Sequence, residues 1–197
     1  MYNKKKIIVV TGGAGFIGSN LIKYLLKKTN FNIISLDNYS TGNKKNHIKS
    51  ERIKYIKSHT KNISKVLKLF KKDIHSLFHF GEFSRIYQSF LKMSDCIDSN
   101  TIGSNEVFNF CLSNKIKENI VNIGTGVDFT VNDYAKKILK LIIPNKKILI
   151  KYDTKKPNGT PRKVLDINLA KSYGWTPKTK LSDAILKTYL DFLKVKK

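Results

Sequence analysis

Three glycines spaced Gly12-x-x-Gly15-x-x-Gly18, with an apolar run before them and an amphipathic run after, constrain this chain more than any other feature. Ile7 to Val10 reads as a strand and Gly12 to Gly15 as a tight turn. Leu21, Ile22, Leu25 and Leu26 then form one stripe of a helix. A turn of this kind lets the backbone approach a pyrophosphate, and the helix that follows points free N–H groups and the positive end of its dipole at the anion. Asp37 lies nineteen residues after Gly18, at the end of a second apolar run, Phe31 to Leu36. A carboxylate there is placed to take both hydroxyls of a ribose. An ordinary glycine-rich turn explains the glycines but not the strand, the helix and the carboxylate together.

The rest of the chain alternates strand and helix. Strands are expected at 6–11, 32–36, 53–57, 75–80 and 119–123, and helices at 16–28, 63–71, 95–113, 131–141 and 181–195. A further short strand is expected at 146–150, followed by a loop over 153–161 that holds two prolines and Gly159. Such alternation implies a parallel sheet with helices on both faces, a shortened Rossmann-type doubly wound α/β fold. The joint falls near 120–124, giving a dinucleotide-binding domain over residues 1–122 and a small C-terminal α/β appendage over 123–197.

A length of 197 residues with 41% hydrophobic content suits one such domain with its appendage. The apolar runs are too short to span a bilayer. The N-terminal lysines and apolar run look like a signal peptide only until Gly12 and Gly13 interrupt them, so the segment is read as the first strand. Cys96 and Cys111 have no metal-ligand spacing, so no metal is expected, and they fit a reducing, cytoplasmic setting. The net charge of +24 raises the possibility of a nucleic-acid partner. Against it, only three of the 38 basic residues are arginine, and the lysines are scattered rather than clustered. The corollary is that Arg52, Arg85 and Arg162 stand where a planar fork is wanted rather than a point charge.

Four motifs in order carry a resemblance. They are Thr11-Gly12-Gly13-Ala14-Gly15-Phe16-Ile17-Gly18, Leu36-Asp37-Asn38-Tyr39-Ser40-Thr41-Gly42, Leu77-Phe78-His79-Phe80-Gly81-Glu82 and Asn100-Thr101-Ile102-Gly103-Ser104. Together they resemble the extended short-chain dehydrogenase/reductases that act on nucleotide sugars, in particular the UDP-glucose 4-epimerase branch of that NAD-dependent epimerase/dehydratase family. The resemblance implies that Gly12, Gly15, Phe16, Ile17 and Gly18 hold a cofactor pyrophosphate and that Asp37 and Asn38 contact the adenosine ribose. It also implies that Phe80 and Gly81 line the middle of the cofactor and that Asn100 braces the site. The C-terminal stretches Asn122 to Val131, Lys156 to Asp166 and Tyr173-Gly174-Trp175 are instead similar to the tail of the GDP-L-fucose synthase branch. There the resemblance implies that Arg162 meets the diphosphate of a UDP- or GDP-linked sugar. The implied function is epimerase or epimerase-reductase chemistry in the synthesis of cell-surface polysaccharide sugars. Asp37 would repel a 2′-phosphate and favours NAD, whereas the GDP-L-fucose synthase branch generally takes NADPH.

Two departures stand out. Where the family carries an Asp and an apolar residue after the third strand, this chain reads Ser58-His59-Thr60-Lys61, and His59 is read as a surface histidine. The family's catalytic Ser or Thr and its Tyr-x-x-x-Lys pair belong between the 95–113 helix and the Gly124-Thr125-Gly126 segment, yet Lys117 to Val121 runs almost directly into it. Tyr24…Lys28 and Tyr152…Lys156 match the spacing, the first far from any nicotinamide and the second where no catalytic helix is expected. Ser84, Tyr87 and Ser89 lack a lysine at helical spacing. Catalytic residues are therefore unassigned, and an active enzyme stands beside a non-catalytic dinucleotide-binding relative. A shortened sheet leaves apolar surface uncovered, which predicts a homodimer or a partner chain.

Overall fold

The computed structural model describes residues 6–116, 121–156, 158–159 and 161–195. Asn119 and Ile120 of the fifth expected strand, and Pro157 and Thr160 of the tail motif, lie outside the described residues. By internal contact the chain divides into two units, Met1–Asn119 and Ile120–Lys197.

Four parallel strands form the sheet of the first unit: β1 (Ile7–Thr11), β2 (Asn32–Asp37), β3 (Ile53–Lys57) and β4 (Ile74–His79), in the order β3-β2-β1-β4. All five residues of β1 are buried, as a central parallel strand covered on both faces should be. Its side chains alternate between two cores. Ile8 and Val10 pack with Ile22 and Leu25 of α1 (Phe16–Lys28), whereas Ile7 and Val9 face Ile63, Leu67, Val107 and Phe110. Those last four belong to α2 (Ile63–Val66), the turn after it, and α5 (Ser104–Ser113). Helices thus cover both faces of a parallel sheet, the α/β Rossmann-like arrangement expected from the sequence.

Several boundaries differ from expectation for physical reasons. The helix expected over 63–71 ends at Val66, because successive i→i+3 turns at Leu67–Phe70 and Phe70–Asp73 bring the chain directly back to β4. The 95–113 helix is not uniform. It runs as α4 (Met93–Ile97), a wide π-type turn over Asp98–Gly103, and then α5. At that turn Gly103 sits so close to Thr60 that an added Cβ would lie 2.2 Å from its Oγ1. A short helix, α3 (Ile86–Leu91), escaped the periodicity because Ile86, Tyr87, Phe90 and Leu91 are all exposed and mark no single buried face.

In the second unit the described residues form α6 (Val131–Ile142), α7 (Asn168–Ser172) and α8 (Leu181–Val195), and no strand. Residues 121–123 and 147–150 are irregular, with Ile123 and Leu149 exposed. Without a neighbouring strand to accept their backbone groups, these apolar runs do not form a ladder. α6 begins at a capping box. Thr130 Oγ1 accepts from Asp133 N at 3.0 Å, and the Asp133 carboxylate accepts from Thr130 N at 3.3 Å. Among the described residues no helix is long and apolar enough to cross a membrane.

Candidate functional site

The carboxyl ends of β1, β2 and β4 converge on one cleft with about 430 Å³ of empty space, open to solvent. Gly12, Gly15, Asp37, Asn38, Phe80 and Gly81, all singled out from the sequence, line it. Gly12 is left-handed at φ +68°, and a Cβ on it would lie 2.4 Å from Phe80 O. A Cβ on Gly18 would lie 2.3 Å from Gly12 O, so the third glycine lets α1 start hard against the turn. Phe16 and Ile17 open α1 with exposed side chains, and neither a side-chain cap nor an acidic residue occupies the first turn. The helix start therefore presents its dipole unopposed to the cleft.

Asp37 has two jobs. Its Oδ2 accepts from Ala14 N at 2.9 Å and its Oδ1 from Tyr39 N at 2.8 Å, so the carboxylate ties the glycine turn to the end of β2. Each oxygen retains acceptor capacity for a ligand hydroxyl. Asn38 lines the cleft while its Oδ1 accepts from Ser40 N at 2.9 Å. Asn100, on the π-type turn, clamps Phe83: its Oδ1 accepts from Phe83 N at 2.6 Å and its Nδ2 donates to Phe83 O at 2.9 Å. Arg162 lies in the second unit and pairs with Asp128 at 3.1 Å, its side chain largely exposed.

A hydrogen-bonded chain missed from the sequence stands behind the cleft. Thr11 Oγ1 accepts from Phe80 N and Gly81 N, both at 3.2 Å, which leaves its proton for His79 Nδ1 at 2.6 Å. The imidazole is then neutral with its proton on Nε2, facing Ser104 Oγ at 3.0 Å, and Ser104 Oγ donates to Glu82 Oε1 at 3.3 Å. Burial holds the His79 pKa below its ordinary value, against the opposing pull of Glu82. The only local sign was His79 within the motif that ends β4, and its partners are remote in sequence.

His59 is not a surface side chain. It is half-buried, its Nδ1 accepts from Lys61 N at 3.2 Å to cap the turn Thr60–Asn62, and its Nε2 faces Ser99 Oγ at 3.3 Å. Burial first, and Lys61 second, depress its pKa. Thr60 lines the cleft while its buried Oγ1 has no hydrogen-bond partner among the described residues. Among the described residues no group of three or more His, Cys, Asp or Glu is placed to hold a metal. A backbone cradle closed to a Cβ at Gly12 and Gly18, an unopposed helix start and a flanking carboxylate fit a dinucleotide.

Comparisons with known proteins point the same way. The family model described as "NAD dependent epimerase/dehydratase family" matches residues 8–135. A putative GDP-L-fucose synthase 2 of Arabidopsis thaliana is 44% identical over 69 residues, 35% of this chain and 20% of that protein. A putative UDP-glucose 4-epimerase of Methanocaldococcus jannaschii is 55% identical over 40 residues, 20% of this chain and 13% of that protein. The crystal structure of Bordetella bronchiseptica WbmG in complex with NAD superposes with a TM-score of 0.51 at 22% identity, covering 59% of this chain and 36% of that one. At that identity the likeness is one of fold. The matches span well under two thirds of the length of each of these relatives.

Proposed function

The chain belongs to the NAD dependent epimerase/dehydratase family, and from that premise we propose that its first unit binds NAD and that the chain serves epimerase or epimerase-reductase chemistry on a UDP- or GDP-linked sugar. The observation that carries this reading is the cleft itself. The chain has 38 basic residues, yet among the described residues no Lys or Arg lines the cleft, so the pyrophosphate falls to the backbone of Gly12 to Gly18 and the start of α1. Asp37, buried at the end of β2, takes the adenosine hydroxyls and disfavours the extra phosphate of NADP. Asn38, Phe80 and Gly81 line the remainder, and Asn100 holds the adjoining segment. When bound, NAD supplies a hydride acceptor at C4 of its ring. Arg162, whose fork already faces a carboxylate in Asp128, is the partner offered to a sugar-nucleotide diphosphate.

This reading places the protein in cytoplasmic synthesis of cell-surface sugars and in association with a second copy or partner chain. Calorimetry tests it: NAD should bind the wild-type chain and not Gly15→Val, and UDP-glucose or GDP-4-keto-6-deoxymannose should bind more weakly to Arg162→Ala. Absence of NAD binding to the wild type rejects the reading.

One observation favours a second reading, binding without turnover. Among the described residues the Tyr-x-x-x-Lys spacings fall on α1, where Tyr24 is exposed, and on a segment with no helix at Tyr152. NAD binding with no turnover of either sugar nucleotide selects this alternative.

A further inference from the structure

Two carboxylates, Asp37 and Glu82, line the cleft, and they are the only charged side chains that do so among the described residues. They stand on opposite sides of the glycine turn. Asp37 ends β2, Glu82 lies three residues past the end of β4, and β1 with its turn runs between those strands. A dinucleotide has the same layout, with a pyrophosphate at its middle and one ribose on either side. We propose that Glu82 binds the hydroxyls of the second ribose, the one away from the adenine, as the counterpart of Asp37 at the first. The proposal rests on the reading of the cleft as a dinucleotide site and extends it to a residue that the sequence motifs left unassigned.

The surroundings of Glu82 are built for such a role. The backbone on its N-terminal side is fixed by Thr11 Oγ1, which accepts from Phe80 N and Gly81 N. The backbone on its C-terminal side is fixed by both polar atoms of the Asn100 amide on Phe83. The side chain is 54% exposed, and one oxygen, Oε1, accepts from Ser104 Oγ. That leaves Oε2 for a ligand. The neutral His79 behind Ser104 donates from Nε2 to Ser104 Oγ, which leaves the hydroxyl proton for the carboxylate at 3.3 Å, nearer than its other acceptor, Ser99 O at 3.5 Å. A carboxylate held this way needs little ordering when a pair of hydroxyls arrives. With 38 basic residues available, an acidic lining also matches a ligand whose flanks donate hydrogen bonds.

The test is calorimetric titration of the full chain with three probes: NAD, ADP-ribose and ADP. Only the first two carry the second ribose. Glu82→Gln should weaken NAD and ADP-ribose about tenfold and leave ADP unchanged, as loss of a hydrogen bond to a charged group implies. Asp37→Asn should weaken all three. ADP binding by the Glu82 variant also reports that the glycine turn and Asp37 remain folded. Unchanged NAD affinity in Glu82→Gln overturns the proposal, and so does an equal loss for ADP, which would mark Glu82 as a support of the fold. Failure of the wild-type chain to bind any of the three probes rejects the dinucleotide reading itself, a result distinct from either of these.

Discussion

The Thr11 hydroxyl and the His79 imidazole meet at 2.6 Å, joining the last residue of β1 to the last residue of β4. The bond requires Nδ1 to be an acceptor, so it requires neutral histidine. Burial already lowers the pKa of this group from its ordinary 6.5. Near that value the unfolded chain therefore binds more protons than the folded one, and stability falls as pH falls. The His79 contribution is complete above about pH 6.5 and drains as pH drops toward the folded-state value. The urea midpoint should fall between about pH 7.5 and pH 5.5, and His79→Asn should be less stable at the upper pH with a shallower fall. His59, shifted in the same direction, supplies part of the remaining slope. An unaltered slope in the variant would count against the neutral-histidine chain.

The glycines of the turn should separate by experiment. Gly12→Ala combines a left-handed backbone with a Cβ 2.4 Å from Phe80 O, and neither the strand end nor the turn has room to give. A loss of about 2 kcal/mol or more is expected. At Gly15 the nearest atom to a new Cβ is Gly12 O at 3.2 Å. Gly15→Ala should therefore cost under about 1 kcal/mol in chemical denaturation while still weakening NAD. Equal destabilisation by the two substitutions would refute this division.

Asp37→Asn tests the double role of that carboxylate. An amide offers one oxygen where two backbone N–H groups, Ala14 and Tyr39, now have one each. One donor loses its partner, and the fold should lose about 1–3 kcal/mol even without ligand. Thermal unfolding of the ligand-free variant measures this directly. A wild-type melting temperature would show that the Ala14 and Tyr39 contacts are dispensable.

Arg52 turns out to be a structural residue. Its guanidinium donates to Thr29 O at 2.6 Å and to Leu26 O, and so closes the carbonyl end of α1 and the chain leaving it. Lysine cannot reproduce a two-pronged grip on carbonyls that lie in different directions. Arg52→Lys should cost about 1–2 kcal/mol, read from the urea midpoint. No change would mean that water serves those carbonyls equally well.

These residues also show where sequence was informative. β1, α1 and β2 were legible nearly to the residue, because a fully buried strand, a glycine spacing and a helical stripe are local signals. The chain Thr11–His79–Ser104–Glu82 was not, since its links span 68, 25 and 22 residues and leave no period behind. Asp37 was picked out for a ligand, but its grip on Ala14 N depends on how β2 meets the glycine turn. The expected strand at 146–150 failed for the converse reason: its apolar residues look right, but pairing is a property of a neighbour.

The wide turn at Asp98–Gly103 sets the phase of everything after it. A π-type turn holds one more residue than an α-helical turn would, so Ser104 faces His79 because of that surplus. Were the same residues, none removed, wound as regular α-helix, the surplus residue would no longer be absorbed and Ser104 would be rotated about the helix axis by about 100°. The hydroxyl would swing off the imidazole, and Glu82 would lose its tether with no change of any side chain in the cleft. The angular setting of the cleft's second carboxylate is thus written as a count of backbone residues on a helix behind it.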